Sequence, residues 1–155
     1  ETGLLQGNLL TKKIHFECFL DPGMLVYADR THLSLVMQNL VSNAIKFTQE
    51  KGKIEVHASQ QDDMIIICVA DNGVGIASQR LNDLFQIETS FSTVGTANEK
   101  GTGLGLILCH ELVRENGGQI WAESTLSEGS RFYFTLPSSI RALSVLDEDS
   151  SLKQN

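Results

Sequence analysis

Cysteine is scarce in this chain of 155 residues, and its three copies, Cys18, Cys68 and Cys109, lie far apart in the sequence. They form no Cys-x-x-Cys pair, so the sequence predicts neither a disulfide framework nor a zinc site. Clusters of lysine and arginine are also missing, and the net charge is −7. A nucleic-acid interface needs a concentrated positive patch, so we expect no nucleic-acid partner.

Long apolar runs are absent as well. No stretch approaches the length needed to cross a bilayer, so we expect no direct membrane contact. The first residues lack a basic stretch followed by an apolar one, and they predict no secretory signal. The hydrophobic fraction of 41% is nevertheless enough for one core. We expect one globular cytoplasmic domain, whether its parent protein is membrane-anchored or soluble.

Hydrophobic periodicity predicts the secondary structure. The order of elements predicts an α+β fold, a two-layer α/β sandwich in which one mixed sheet packs on helices. In chain order, the predicted elements are a strand at 14–19 after a lead-in, a helix from the N-cap Thr31 to about Phe47, strands at 53–59 and 64–70, a short helix at 78–85, a helix at 104–115, and strands at 120–124 and 131–136 that end the fold at Pro137.

Three polar side chains form a stripe on the first long helix. Asn39, Asn43 and Lys46 are spaced so that they share one face, opposite the apolar residues. Asparagine oxygens can ligate Mg²⁺, and a lysine can pair with phosphate oxygens. The same pattern fits an ordinary polar face, and the helix alone does not decide between the two interpretations.

Two glycine-rich turns follow. Residues 71–76, Asp-Asn-Gly-Val-Gly-Ile, come directly after a buried strand. There a carboxylate can accept a hydrogen bond from an exocyclic amine, although a tight turn that contains an aspartate explains the segment equally simply. Residues 101–106 open the second long helix, where free N–H groups can bind an anion. This second turn is not a Walker A loop and fits a Rossmann fingerprint only loosely.

Together, these motifs resemble the Bergerat-type ATP site of the GHKL superfamily. Residues 39–48 resemble the N box of histidine kinases, residues 71–76 the G1 box and residues 101–106 the G2 box. Phe85 and Phe91 lie where an F box would be, without the arginines that many F boxes carry. The resemblance implies the Bergerat ATP-binding fold.

The final strands strengthen the resemblance. Residues 116–124 and 129–137 are similar to the segments that close histidine-kinase catalytic domains. The resemblance covers about residues 12–137 and implies the catalytic, ATP-binding domain of a bacterial sensor histidine kinase in two-component signal transduction. Its cofactors would be ATP and Mg²⁺.

The resemblance also implies roles at the phosphates. Asn43 would coordinate Mg²⁺, and Asn39 would help to position the metal or assist proton transfer. Lys46 would contact phosphate. Residues 86–100 would form a lid over ATP, and Lys100, the only basic residue in that lid, would supply its γ-phosphate contact.

Asp71 is the residue that would bind the adenine amino group, with Gly73 and Gly75 shaping the pocket wall. The backbone of the second glycine turn would hold the phosphates. By this resemblance the nucleotide-binding residues are Asn43, Asp71, Gly73, Gly75, Phe85, Gly101, Thr102, Gly103, Leu104 and Gly105.

The phosphoaccepting histidine is expected on another domain. None of the four histidines, His15, His32, His57 and His110, lies in an acceptor motif, so we expect no autophosphorylation by this fragment alone. Residues 1–11 would be a linker remnant from a dimerisation and phosphoacceptor domain, residues 12–137 the catalytic domain, and residues 138–155 a flexible tail or linker. The implied partners are that histidine phosphotransfer domain and a downstream response regulator.

The sequence is also compatible with other functions. A free-standing GHKL serine kinase of the anti-sigma type has a similar length, although the closing segments fit histidine kinases better. An ATP-driven clamp of the gyrase, MutL or heat-shock type would need a transducer domain, for which the chain is too short. A module that binds ATP without transferring phosphate is the third alternative.

Overall fold

A computed structural model of the chain describes residues 2–86, 95–96 and 103–139. Four helices and five strands are present in these residues. In chain order they are α1 (Thr2–Lys12), β1 (His15–Phe19), α2 (Arg30–Phe47), β2 (Lys53–Gln61), β3 (Met64–Asp71), α3 (Ser78–Leu81), α4 (Gly105–Glu115), β4 (Ile120–Thr125) and β5 (Gly129–Pro137).

The strands form one mixed sheet in the order β1-β2-β3-β5-β4. β1 runs parallel to β2, and all other neighbouring pairs are antiparallel. β3 lies in the centre, which explains its nearly continuous apolar sequence. One face of the sheet packs on α2 and α4. The predicted α+β fold with one mixed sheet on helices is therefore confirmed.

Buried apolar residues alternate with more exposed residues along the strands, and the buried ones form the core between the sheet and the helices. Leu40 of α2 and Phe134 of β5 are both 0% exposed, and burial of a side chain of this size contributes about 2–3 kcal/mol. The helix-facing residues of the sheet are Ile54, Val56, Ile65, Ile67, Val69, Phe132, Phe134 and Leu136.

The opposite, open face of the sheet carries a row of rings. Phe19 stacks on His57 with centroids 4.8 Å apart, and Trp121 stacks on Tyr133 at 5.3 Å. Cys68 of β3 lies between the two pairs in the strand register. Burial raises the pKa of the Cys68 thiol, so the thiol behaves as a small hydrophobic group, as its apolar strand predicts.

Asp29, and not the predicted Thr31, is the N-cap of α2. Its carboxylate accepts a hydrogen bond from the His32 N–H at 3.0 Å, and that bond lowers the pKa of Asp29. Asn116 at the end of α4 accepts the Asp29 N–H at 2.8 Å and bonds the His32 ring at 3.0 Å. His32 is therefore half-buried between two helix ends.

Helix α1 is not among the predicted elements, because the sequence predicts only a lead-in before the first strand. Its apolar pattern is weak because Gly3 and Gly7 interrupt it. Leu5 and Leu9 nevertheless pack against the core, so tertiary contacts stabilise a helix with little periodicity of its own.

Two other boundaries differ from the prediction. The short helix α3 ends at Leu81, where residues 78–85 were predicted to be helical, and the chain continues in turns. The fold also continues beyond Pro137, because Ser138 forms an isolated bridge with Val26. No helix in the described ranges is long and apolar enough to cross a bilayer.

Candidate nucleotide-binding site

The polar stripe of α2 faces the start of α4. Asn39 donates its side-chain N–H to the Leu35 carbonyl at 2.9 Å, which fixes the orientation of the amide. Its oxygen lies 2.6 Å from where a Cβ on Gly105 would be. A side chain at Gly105 would therefore displace Asn39. Asn43 and Lys46, farther along the helix, are half-buried.

Asp71 lies at the end of β3 in phase with the buried residues of that strand, so its side chain points to the helix-covered face. Its carboxylate accepts the Gly73 N–H at 2.9 Å. Burial raises the pKa of Asp71 to about 6, although hydrogen bonds from the backbone N–H groups of Gly73 and Ser130 lower it. Near pH 7 this carboxyl group is therefore mostly ionised, while it lies in a pocket that penalises its charge.

The turn after Asp71 is fastened to the end of α2. The Val74 N–H donates to the Phe47 carbonyl at 3.1 Å. A Cβ at Gly73 would lie 2.1 Å from the same oxygen, so only glycine allows this approach. Gly75 has a φ of +71°, and a Cβ there would lie 2.1 Å from the Thr125 carbonyl oxygen. The two glycines therefore let the turn pack between α2 and the β4–β5 hairpin.

Lys12 closes the C-terminal end of α2, although no sequence signal marks it. The side chain is 8% exposed. Its ammonium donates to the carbonyls of Ile45, Lys46 and Thr48 at 2.8, 3.1 and 3.2 Å. It also donates to the Thr96 hydroxyl at 2.8 Å. A cation at a helix C-terminus is favourable because the free carbonyls there carry partial negative charge.

The carbonyls of residues 45–48, here called the α2 carbonyl cluster, hold three segments of the chain. Lys12 brings α1 to it, and Val74 brings the turn after β3. Thr96 donates its N–H to the Lys46 carbonyl at 3.0 Å and its hydroxyl to the Thr48 carbonyl at 2.9 Å. The carbonyls that a helix end leaves without helical partners are thus all satisfied.

The start of α4 is described from Gly103 onward. Gly103 has a φ of +73°, Leu104 occupies the N-cap position with its side chain exposed, and the helix begins at Gly105. The predicted residues Lys100, Gly101 and Thr102 lie outside the described residues, as does Phe91.

Phe85 is half-buried and packs against the core, with its ring centroid 6.1 Å from that of His110. Lys46 has its ammonium 5.0 Å from the centroid of the Phe47 ring. Phe85 thus lies beside α4, and Lys46 belongs to α2, so both predicted residues are on the helix side of the sheet, which is also the side of Asp71.

A cavity of about 430 Å³ borders Asp71 from the other side of the sheet. Its lining comes from the strand ends and the β4–β5 hairpin and includes Lys53, Glu55, Glu123 and Arg131. No residue of α2 or α4 contributes to it, so it shares only Asp71 with the predicted nucleotide-binding residues.

Known proteins match this combination of sheet, helices and turns. Residues 28–140 match the family model of histidine kinase-, DNA gyrase B- and HSP90-like ATPases. The chain is 43% identical over 114 residues to the phytochrome-like protein Cph1 of Synechocystis sp., a match that covers 72% of this chain and 15% of Cph1.

Solved structures match over most of the chain. The catalytic domain of histidine kinase ThkA aligns with a TM-score of 0.72 and 33% identity, covering 87% of this chain and 86% of that domain. ThkA in complex with the response regulator protein TrrA aligns with a TM-score of 0.70 and 29% identity, covering 88% of this chain and 38% of that one. This chain therefore corresponds to one part of much longer proteins.

Proposed function

Because the chain belongs to the histidine kinase-, DNA gyrase B- and HSP90-like ATPase family, we propose that it binds Mg-ATP between α2, the turn after β3 and the start of α4. In this role it presents the γ-phosphate to a histidine on a separate domain of its parent kinase. ATP use follows from the family, whereas Mg²⁺, the site residues and the transfer to histidine are parts of the proposal.

The position of Asp71 carries the proposal. The half-buried Asp71 carboxylate, at the end of β3 and held by the Gly73 N–H, is an acceptor, and no charged group is among the causes of its pKa shift. The 6-amino group of adenine is a donor that fits this position. Gly73 and Gly75 would shape the pocket wall indirectly, because they let the turn pack closely on the Phe47 and Thr125 carbonyls.

The phosphate half uses the α2 stripe and the α4 start. Asn43, with Asn39 beside it, would hold Mg²⁺ through amide oxygens, and Lys46 would contact phosphate. In the described residues no group of three or more His, Cys, Asp or Glu side chains could hold a metal. The amide oxygens fit Mg²⁺, since this ion is commonly held by few protein ligands together with substrate phosphates.

Phosphoryl transfer asks mainly for positioning and charge stabilisation. When bound, Mg²⁺ would neutralise phosphate charge and orient the γ-phosphate. The chain contributes the fixed amide of Asn39, the N–H groups at the start of α4, and the anchoring of the adenine by Asp71. Gly101, Thr102 and Lys100 join the phosphate contacts in this proposal on the basis of sequence resemblance alone.

The proposed partners are the dimerisation and histidine phosphotransfer domain of the same kinase and a response regulator. The structural likeness to ThkA, which is solved with a response regulator, supports this choice. Residues 1–11, which lie in or before α1, would connect to the histidine domain, the catalytic unit would run from residue 12 to the bridge at Ser138, and the residues after it would be a tail or linker. The domain would work in the cytoplasm, where ATP is available.

Two measurements test this function. Calorimetric titration should show binding of Mg-ATP by the isolated chain. Mixing the chain with ATP, Mg²⁺ and the histidine domain of its parent should then yield acid-labile phosphate on that domain. Acid-stable phosphoserine on a partner would instead indicate an anti-sigma type of kinase. Tight ATP binding without transfer would indicate a binding module.

A further inference from the structure

The hydroxyl of Ser124, near the end of β4, makes three hydrogen bonds that join separate segments. It accepts the Ile76 N–H at 2.7 Å and donates to the Gly129 carbonyl at 2.8 Å. The Ser130 hydroxyl lies 2.8 Å away and can donate to it. One donor and two acceptor sites are all that a serine hydroxyl offers, and all three are used.

These bonds hold the far end of the turn that begins at Asp71. The near end is held by strand pairing, because Asp71 is opposite Ser130 in the β3–β5 register. The far end, Ile76, leaves the sheet and is bound by Ser124. The Ser124–Ser130 contact therefore links the two anchors of the turn.

The hairpin between β4 and β5 follows the turn closely. The Ser127 N–H donates to the Val74 carbonyl at 2.8 Å, and a Cβ at Gly75 would lie 2.1 Å from the Thr125 carbonyl oxygen. A Cβ at Gly129 would lie 2.0 Å from the Asp71 carbonyl oxygen. With the backbones this close, a shift of the hairpin must move the turn.

We propose that Ser124 is a positioning residue that sets the base selectivity of the nucleotide site. The inference rests on the proposed function, in which Asp71 binds the adenine. Ser124 touches no nucleotide in this role. It acts by fixing where the Asp71–Ile76 turn lies relative to the Asp71 carboxylate.

Selectivity for the base follows from the geometry of one contact. Adenine presents an amino group at position 6, which donates to a carboxylate, whereas guanine presents a carbonyl oxygen, which a carboxylate repels. This discrimination depends on a carboxylate and a pocket wall held at a fixed separation. Without the Ser124 hydroxyl, the Ile76 N–H loses its hydrogen-bond partner, and the far end of the Asp71–Ile76 turn is no longer fixed. Both the affinity for ATP and the preference for ATP over GTP should therefore fall.

The test compares Ser124→Ala with Thr135→Val by titration with ATP and with GTP, together with the thermal unfolding midpoint. Thr135 is a matched control, since its hydroxyl also links the ends of β4 and β5 by accepting the Gln119 N–H at 3.0 Å, at the end away from the turn. Ser124→Ala should weaken ATP binding about tenfold, the effect of one lost hydrogen bond with an unsatisfied partner. GTP binding should change little.

Thr135→Val should lower the unfolding midpoint while leaving both affinities within about twofold of wild type. Ser124→Thr, which retains the hydroxyl, should restore the ATP preference, and it keeps the test valid if the alanine variant does not fold. If Ser124→Ala lowers the unfolding midpoint as Thr135→Val does but keeps the wild-type ATP preference, the positioning role is wrong. If the wild-type chain itself binds no ATP, the proposed function fails first, and the inference with it.

Discussion

At the adenine half of the proposed site, the turn after β3 is held by backbone contacts on both sides. Its N–H and carbonyl groups bond to the Phe47 carbonyl, to Ser124 and to Ser127, and glycines permit the close approach. At the phosphate half, the proposed metal contacts are the side chains of Asn39 and Asn43, placed along one stripe of α2. The backbone bonds to Phe47 and Ser127 cannot be changed by most substitutions, whereas the Ser124 hydroxyl and each side-chain contact of the phosphate half can be removed singly.

This difference has a consequence for selectivity and catalysis. The adenine half is already organised by the fold, so it should decide which base binds and tolerate few changes of geometry. The phosphate half depends on individual amide and ammonium groups, so it should respond to single substitutions in a Mg²⁺-dependent way. Four measurements can separate the two halves.

Asp71→Asn should have the largest effect. It replaces the proposed acceptor for the adenine amino group, and a hydrogen bond to a charged group contributes about 2–3 kcal/mol, or roughly 30- to 150-fold in affinity. Titration with ATP measures it. Asp62→Asn, the same change in the turn that precedes β3, serves as the control and should bind like wild type. Wild-type affinity in the Asp71 variant would remove the basis of the site assignment.

Lys12→Met should have the second largest effect, a decrease in the free energy of unfolding. The variant leaves the α2 carbonyl cluster without its charged donor, which should lower the free energy of unfolding by about 2–3 kcal/mol. Urea denaturation measures this. Lys13→Met is the matched control, because Lys13 is exposed and contacts only Glu50, at 3.9 Å, among its described ion pairs. A change of about 0.5 kcal/mol or less is expected there. Equal losses in the two variants would contradict the structural role of Lys12.

Asn43→Ala probes the phosphate half. Loss of a proposed Mg²⁺ ligand should weaken Mg-ATP binding about tenfold. The affinity for ATP without Mg²⁺ should not change. Titrations with Mg²⁺ and with a chelator give the comparison. Ser42→Ala, an exposed neighbour on the same helix, should behave like wild type in both. An equal loss with and without Mg²⁺ would show that Asn43 acts on something other than the metal.

The pH dependence of ATP binding should show the smallest effect. In the proposed site adenine would bind the ionised form of Asp71, whose pKa is raised to about 6, so the affinity for ATP should be about fourfold lower at pH 5.5 than at pH 7. Asp71→Asn should lack this dependence. The nucleotide-free chain should respond in the opposite direction. Because the folded pKa lies above the ordinary value of 3.8, the stability from this group is present below pH 4 and is lost as the pH rises through about 6.

The sequence predicted the fold and the family well, because both depend on local patterns. Periodicity located α2, α4 and the strands to within a few residues, and the match of residues 28–140 confirms the resemblance drawn from the three boxes. The position of Asp71 at a strand end also followed from the apolar run before it. The ligand roles of Asn39, Asn43 and Asp71 remain predictions.

What the sequence did not reveal depends on contacts between distant residues. Lys12 and Thr96 are 84 positions apart in the chain, and no periodicity connects them. Asp29 caps α2 in place of Thr31, and both are suitable cap residues. The Asp29 backbone is held by Asn116, which lies 87 positions away. Nothing in the sequence distinguishes Ser124 from other strand serines, and only the structure shows that the Ile76 N–H donates to it.

Trp121 and Tyr133, which stack on the open face of the sheet, give the β4–β5 hairpin a fluorescence signal. Trp121 is the only tryptophan of the chain, and it stacks on Tyr133 within the two strands that carry Ser124 and Ser130. Its emission therefore reports the β4–β5 hairpin and no other part of the molecule. In the proposed site, adenine nucleotides would reach the turn from the other face of the sheet, so the fluorescence of this indole should follow their binding without contact between the two.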